Sequence, residues 1–328
     1  MNYKKTFMTV MLFSSLVLSS CGSKGEVKKT ADGKEVLNGY ITLSGAFALY
    51  PLAIQWADEF HRIHPNVDID ISAGGAGKGI TDVLADQVDI AMVSRELKPQ
   101  EVEKGALAYA VAKDAVVPTI NASNPFYKEL MQVGLKQDVA QKIWNSSIHS
   151  WGEVIGRHPI NPKMESTKLN AYTRSDACGA AETWAAFLGV KQEDLKGTGL
   201  FGDPGVAETL QKDIYGIGFN NIGYAYNDKT HKPTKGIAVL PIDVNGNGKI
   251  DDEERFYDTM DHLMKAISDG KYPSPPARNL YLVTAGKTKN PVVKEFLKYV
   301  ITKGQKLTTP AGFVNINQLQ EKQGLRNF

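Results

Sequence analysis

The sequence carries only two cysteines in 328 residues, Cys21 and Cys178. If the first is consumed by modification, the second has no partner and no disulfide forms within the chain. Catalytic and nucleotide-binding signatures are missing too. There is no H-E-x-x-H, no C-x-x-C, no Ser/His/Asp arrangement and no G-x-x-x-x-G-K-[ST] loop. Surplus charge is equally scarce. The formal net charge is +2, and Lys4 and Lys5 account for all of it. Without them 36 basic residues face 36 acidic ones, so no basic field recruits nucleic acid, and any anion site has to be local. No apolar run is long enough for a membrane-spanning helix, which needs roughly 20 residues. Repeats are absent. Hydrophobic residues make up 42% and charged residues 23%, ordinary for a globular chain.

What is present begins with an address. After Lys4 and Lys5, residues 7–18 form an apolar run of about a dozen residues, the layout of a signal peptide rather than an anchor. It ends in Leu18-Ser19-Ser20-Cys21, which resembles the lipobox of bacterial lipoproteins. That resemblance implies cleavage before Cys21, lipidation of Cys21, and a protein exported and held at the cell envelope by its lipid. Residues 22–37 are polar and read as a flexible tether. The rest is long enough for two domains.

Beyond the tether, strand-like and helix-like stretches alternate, which indicates an α/β architecture. Residues 39–43, 67–71, 88–93, 115–120, 169–173 and 280–283 read as strands. Residues 115–120 are read as a crossing between lobes. Helices are expected from Pro51, from residue 80, over 126–158, over 180–188 and from residue 292 to 301. Three turns repeat one layout of strand, small-residue turn and helix: 44–51, 73–79 and 174–180. A helix start exposes unpaired N–H groups and a positive dipole end, so each is a candidate anion cradle. One such turn alone would say little in an α/β protein.

Together these stretches are familiar. SGAFALYPLAIQWADEF, SAGGAGKGITDVLADQVDIAMVSREL, TRSDACGAAETWAAFLG, NNIGYAY and ARNLYLVTAGK resemble the substrate-binding proteins of bacterial phosphate ABC importers. The resemblance runs from residue 39 to the C-terminus. It implies the type II periplasmic binding protein architecture, with two Rossmann-like lobes joined by a two-strand hinge. Lobe 1 would hold 38–117 plus 282–328, and lobe 2 would hold 118–281. It further implies a monomer that buries phosphate, or a similar oxyanion, between the lobes and docks on ABC permease subunits in the membrane.

The resemblance places the ligand-binding positions at Ala48, Leu49, Tyr50, Ala76, Gly77, Ser94, Arg95, Arg174, Asp176, Cys178, Gly179 and Ala180. Several depart from the family pattern. Ala48–Tyr50 keep main-chain N–H groups but lack the usual hydroxyl, and Ala76 replaces a Ser. Arg95 stands where some members carry an Asp that accepts the ligand's proton. Cys178-Gly179-Ala180 replaces Ser-Gly-Thr. Arg174 matches the Arg that grips the anion, and Asp176 the carboxylate that orients it. Two guanidiniums with about five N–H groups, at about 1.5–3 kcal/mol per hydrogen bond to a charged ligand, reach the roughly 8 kcal/mol of micromolar affinity. Phosphate is the first expectation; another oxyanion or a phosphate ester is the alternative. A non-transport surface lipoprotein on the same scaffold is another reading. A phosphatase using Cys178 as a low-pKa nucleophile is the weakest, and no enzyme is expected.

A second site is legible without any resemblance to the importer family. Residues 243–254 fit the twelve-residue EF-hand loop. Oxygen side chains stand at Asp243, Asn245, Asn247, Asp251 and Glu254, Gly248 sits at the sharp turn, and Lys249 offers its carbonyl. A structural Ca2+ clip is expected. Residues 236–242 read as its entering strand and 255–268 as its exiting helix.

Overall fold

The computed structural model describes residues 25–30, 33–156 and 165–328. The signal peptide and Cys21 lie outside the described residues, and so does the tether up to residue 24. In chain order the elements are β1 (Glu26–Lys29), β2 (Glu35–Gly45), α1 (Tyr50–Ile63), β3 (Val67–Ala73), α2 (Ala76–Leu84), β4 (Ile90–Val93), α3 (Pro99–Glu103) and β5 (Ala106–Asn121). Next come α4 (Tyr127–Val133), α5 (Gln137–Trp144), α6 (Trp151–Ile155), β6 (Asn170–Arg174), α7 (Gly179–Phe187), β7 (Thr198–Leu200), α8 (Gly202–Lys212), β8 (Gly216–Asn221) and α9 (Ile222–Ala225). The chain ends with β9 (Ile237–Val239), α10 (Met260–Ser268), β10 (Ala277–Ala285), α11 (Pro291–Ile301) and α12 (Gln318–Arg326). No helix among the described residues is long and apolar enough to cross a membrane.

The strands join in the order β1-β2-β4-β10-β5-β8-β6-β7, with β3 on β2 and β9 on β5. β5 organises both halves. Its residues 106–115 pair with β10, and its residues 116–120 pair with β8. The apolar crossing expected at 115–120 is therefore the second half of a 16-residue strand. β10 pairs with β5 from Ala277 to Ala285, so the chain has returned to the first sheet by Ala277 rather than at 282.

One continuous core runs through both halves. In α1, Leu52, Ala53, Trp56, Ala57 and Phe60 are buried on one face, as the 3.6-residue period requires. Pro51 sits in the first turn, where its missing N–H costs nothing. Phe60 meets Phe296 of α11 edge to face, with centroids 5.3 Å apart. The other half buries Trp144, Trp151 and Trp184 completely, with Phe219 stacked on Trp184. Burial of each such side chain contributes about 1.5–3 kcal/mol.

Three expectations need correction. Residues 26–29 are not tether but strand: β1 pairs antiparallel with β2 from Glu26↔Asn38 to Lys29↔Glu35. Their side chains are polar and exposed, yet the ladder satisfies their backbone groups, which composition alone does not reveal. The helical stretch at 126–158 is three short helices, the first ending at Gly134 with φ +68°; residues 157 and 158 lie outside the described residues. The helix expected over 255–268 begins only at Met260, capped by the Thr259 hydroxyl, which accepts the His262 N–H.

Candidate functional site

The three helix starts that carry the anticipated cradle meet at the seam between the halves. The starts of α1 and α2 belong to the half built on β2, and the start of α7 to the other. Across the seam the Gly77 N–H donates to the Ala177 carbonyl at 3.1 Å. Gly179 lies against Ser94 so closely that a Cβ there would fall 2.3 Å from the Ser94 Oγ. The turn before α1 reaches the same place through Phe47, whose ring centroid is 5.6 Å from the Arg174 Cζ.

Arg174 is the centre of this seam. It ends β6, and its side chain is only 1% exposed. Its Nε and Nη2 donate to the two oxygens of Asp176 at 2.8 and 2.7 Å, a bidentate fork. Its Nη1 donates to Asp203 Oδ2 at 2.7 Å. Three of five N–H groups are so used, which leaves one on each Nη nitrogen. Burial alone would weaken the guanidinium's charge, but Asp203 and Asp176 override that and hold it protonated.

The other expected residues divide. Ala48, Leu49, Ala76, Ser94, Cys178, Gly179 and Ala180 are buried around the seam, and Tyr50 and Gly77 are half-buried there. The Leu49 and Tyr50 N–H groups are already committed within their turn, to the Ala46 and Phe47 carbonyls at 3.2 Å. Arg95, expected as a ligand residue, is held by carboxylates of the protein itself. Both its Nη nitrogens are forked by Glu101 at 2.8 and 2.7 Å, and its Nε lies 2.8 Å from Glu182. Because Glu182 belongs to α7, Arg95 joins the two halves as an ion pair. Cys178 is buried at the start of α7. It caps α7, its Sγ accepting the Ala181 N–H at 3.5 Å, and burial pushes its thiol up to about 12.

Sequence reasoning missed Phe47, Asp203, Asn221 and Tyr224. Asp203 is wholly buried. It accepts from the Asn221 N–H and side-chain amide at 2.8 and 2.7 Å, as well as from Arg174. The signal that could have found it is the fourth strand-turn-helix layout, β7 into α8, with an Asp in the first turn. Tyr224 donates to the Phe47 carbonyl at 3.4 Å. Burial, and then Asp203, raise its phenol, so it stays a donor.

The loop at 243–254 closes on its own oxygens. Asp243 accepts the Gly246 and Gly248 N–H groups at 2.8 and 2.7 Å. Glu254 accepts from Val244 and Asp251 at 2.8 and 3.1 Å. The Asn245 and Asn247 amides both donate to Asp251 Oδ2, and Lys249 Nζ pairs with Asp251 Oδ1 at 2.7 Å. Among the described residues no group of three or more His, Cys, Asp or Glu side chains is gathered tightly enough to hold a metal unaided.

Comparison with known proteins agrees with this architecture. The phosphate-binding protein PstS of Staphylococcus haemolyticus (strain JCSC1435) is 24% identical over 326 residues, covering 98% of this chain and 95% of its own. That of Bacillus subtilis (strain 168) is 25% identical over 327 residues, covering 97% and 95%. Among solved structures, a Clostridium perfringens protein described as a phosphate ABC transporter substrate-binding protein, with bound phosphate, superposes with a TM-score of 0.68. It shares 18% identity over 85% of this chain and 100% of its own, a likeness of fold. The family model for the PBP superfamily domain matches residues 30–303, and the chain belongs to that superfamily.

Proposed function

We propose that this protein is an extracytoplasmic solute-binding protein that captures inorganic phosphate between its lobes and delivers it to an ABC permease. The supporting observation is Arg174: a buried guanidinium at the seam, with two N–H groups to spare, beside three helix starts. Lobe opening admits the anion, and closure dehydrates it. With Arg95 paired to glutamates, the side chains nearest Arg174 are the carboxylates of Asp176 and Asp203. Hydrogen phosphate carries a proton that such a carboxylate can accept, and sulfate does not. Calorimetry of the purified protein with phosphate, sulfate, molybdate and tungstate tests this. Micromolar phosphate binding with sulfate at least about tenfold weaker is expected. Absence of heat with all four at millimolar concentration defeats the reading.

The export reading is part of the same proposal. Residues 1–20 direct export, and Cys21 carries the lipid that keeps the protein at the membrane. A Cys21→Ala chain released into the soluble fraction supports it; unchanged membrane association overturns it.

The loop at 243–254 is proposed to hold a structural calcium ion. Asp243, Asn245, Asn247, Asp251 and Glu254 would hold it through side-chain oxygens, and Lys249 through its carbonyl. The fit rests on the loop's curl around its carboxylates: Asp243 and Glu254 already accept main-chain N–H groups from Val244, Gly246, Gly248 and Asp251. Chelation is expected to lower the melting temperature by several degrees, with recovery on adding calcium but not potassium. An identical melt in chelator and in millimolar calcium removes the ion.

A further inference from the structure

We propose that Phe47 determines the ligand's size: its ring admits a bare tetrahedral oxyanion and excludes phosphate monoesters. This rests on the oxyanion reading above. Phe47 precedes α1 in one half of the molecule, yet its ring lies among residues of the other. It stands over the Arg174 guanidinium at 5.6 Å and meets Phe201 edge to face at 5.9 Å and 85°. Its Cζ comes within 3.0 Å of where a Cβ on residue 202 would stand. That position is Gly202, with φ +70°, a conformation in which a side chain would be strained as well as crowding the ring. The Tyr224 hydroxyl holds the Phe47 carbonyl. The ring is thus seated on three sides.

The consequence concerns space beside the guanidinium. Asp176 and Asp203 occupy much of its edge, and Phe47 walls one side. A groove of about 650 Å³ lies outside, lined by Lys98, Ala177, Lys191 and Gln192 as well as Arg174. Arg174's side chain is only 1% exposed, so the groove does not open freely onto it. An anion built on one tetrahedral centre needs no room beyond its own oxygens. An ester adds a carbon chain to one of them, and the ring fills the space that chain would take. A ring on a guanidinium is also attractive in its own right, so it resists displacement.

The test is calorimetry of the native protein, Phe47→Ala and Phe47→Leu, each with inorganic phosphate and with glycerol 3-phosphate. The native protein is expected to prefer phosphate by about 100-fold or more, and Phe47→Ala to lose at least about tenfold of that preference by gaining ester affinity. Phe47→Leu, which keeps apolar bulk, retains most of it. Phe47 is only half-buried, and melting curves check that both variants fold. An unchanged preference in Phe47→Ala overturns the proposal, as does a native protein that binds the ester as tightly as phosphate. If neither ligand titrates into any of the three proteins, the oxyanion reading itself falls.

Discussion

Arg174→Ala is expected to abolish oxyanion binding and to weaken the fold at once. The two spare N–H groups would each give a charged ligand about 1.5–3 kcal/mol, so their loss costs about 3 kcal/mol or more, over 100-fold in affinity. Removing the guanidinium also takes the cationic partner from Asp176 and Asp203, with 5% and 0% of their side chains exposed. Breaking a buried pair from one side costs about 3–5 kcal/mol, because the remaining charge stays desolvated. Arg174→Lys separates the two effects. A lysine restores the charge, and with it part of the stability, but a point ammonium cannot fork Asp176 and reach a ligand together. Calorimetry reads the first effect and urea denaturation the second. Retention of affinity within threefold by Arg174→Ala would place the anion elsewhere.

The second large effect belongs to Arg278→Ala, at the point where β5 changes partners. Arg278 stands opposite Asp114 in the β10–β5 ladder. Its Nε donates to Asp114 Oδ1 at 2.8 Å, its Nη1 to the Thr183 hydroxyl at 3.1 Å, and its Nη2 to Asn221. One side chain therefore links the hinge strands to α7 and to the end of β8. Asp114 is 1% exposed, and stripping its partner costs about 3–5 kcal/mol. The sign with pH follows from its surroundings. Burial raises the Asp114 carboxyl above its ordinary value even with Arg278 present. The folded chain then keeps a proton that the unfolded chain has released, so this group favours folding at acid pH and the benefit is lost as pH rises. Without Arg278 the upward shift grows. The deficit against the native protein should shrink as pH falls toward the carboxylate range and widen toward neutrality. A pH-independent deficit in denaturant titrations at pH 5 and 8 would show that Asp114 finds another partner.

Much of this was readable along the chain because it is local. Pro51 opening a helix with Leu52, Trp56 and Phe60 on one face is a statement about neighbouring residues, and α1 follows it. So is the arginine at the end of a strand with Asp176 two residues on. What stayed hidden depends on pieces distant in sequence. Arg95 looks like a ligand until Glu182, from another lobe, is seen beside its Nε. Asp203 looks like any turn aspartate until folding carries it to Arg174, 29 residues away. Residues 26–29 look like spacer until the ladder with β2 is formed. Cys178 at a helix start suggests an acidic thiol, but burial outweighs the Arg174 charge and the Ala181 N–H and pushes it to about 12.

A strand that serves two sheets has a cost in modularity. β5 gives residues 106–115 to one neighbour and 116–120 to another within a single unbroken ribbon. Neither half can be excised as a gene fragment without leaving the other short of a central rib. Swapping one half between relatives requires both junctions, before and after the inserted segment, to be cut in register. Any such exchange must therefore leave β5 and its pairing with β10 and β8 intact.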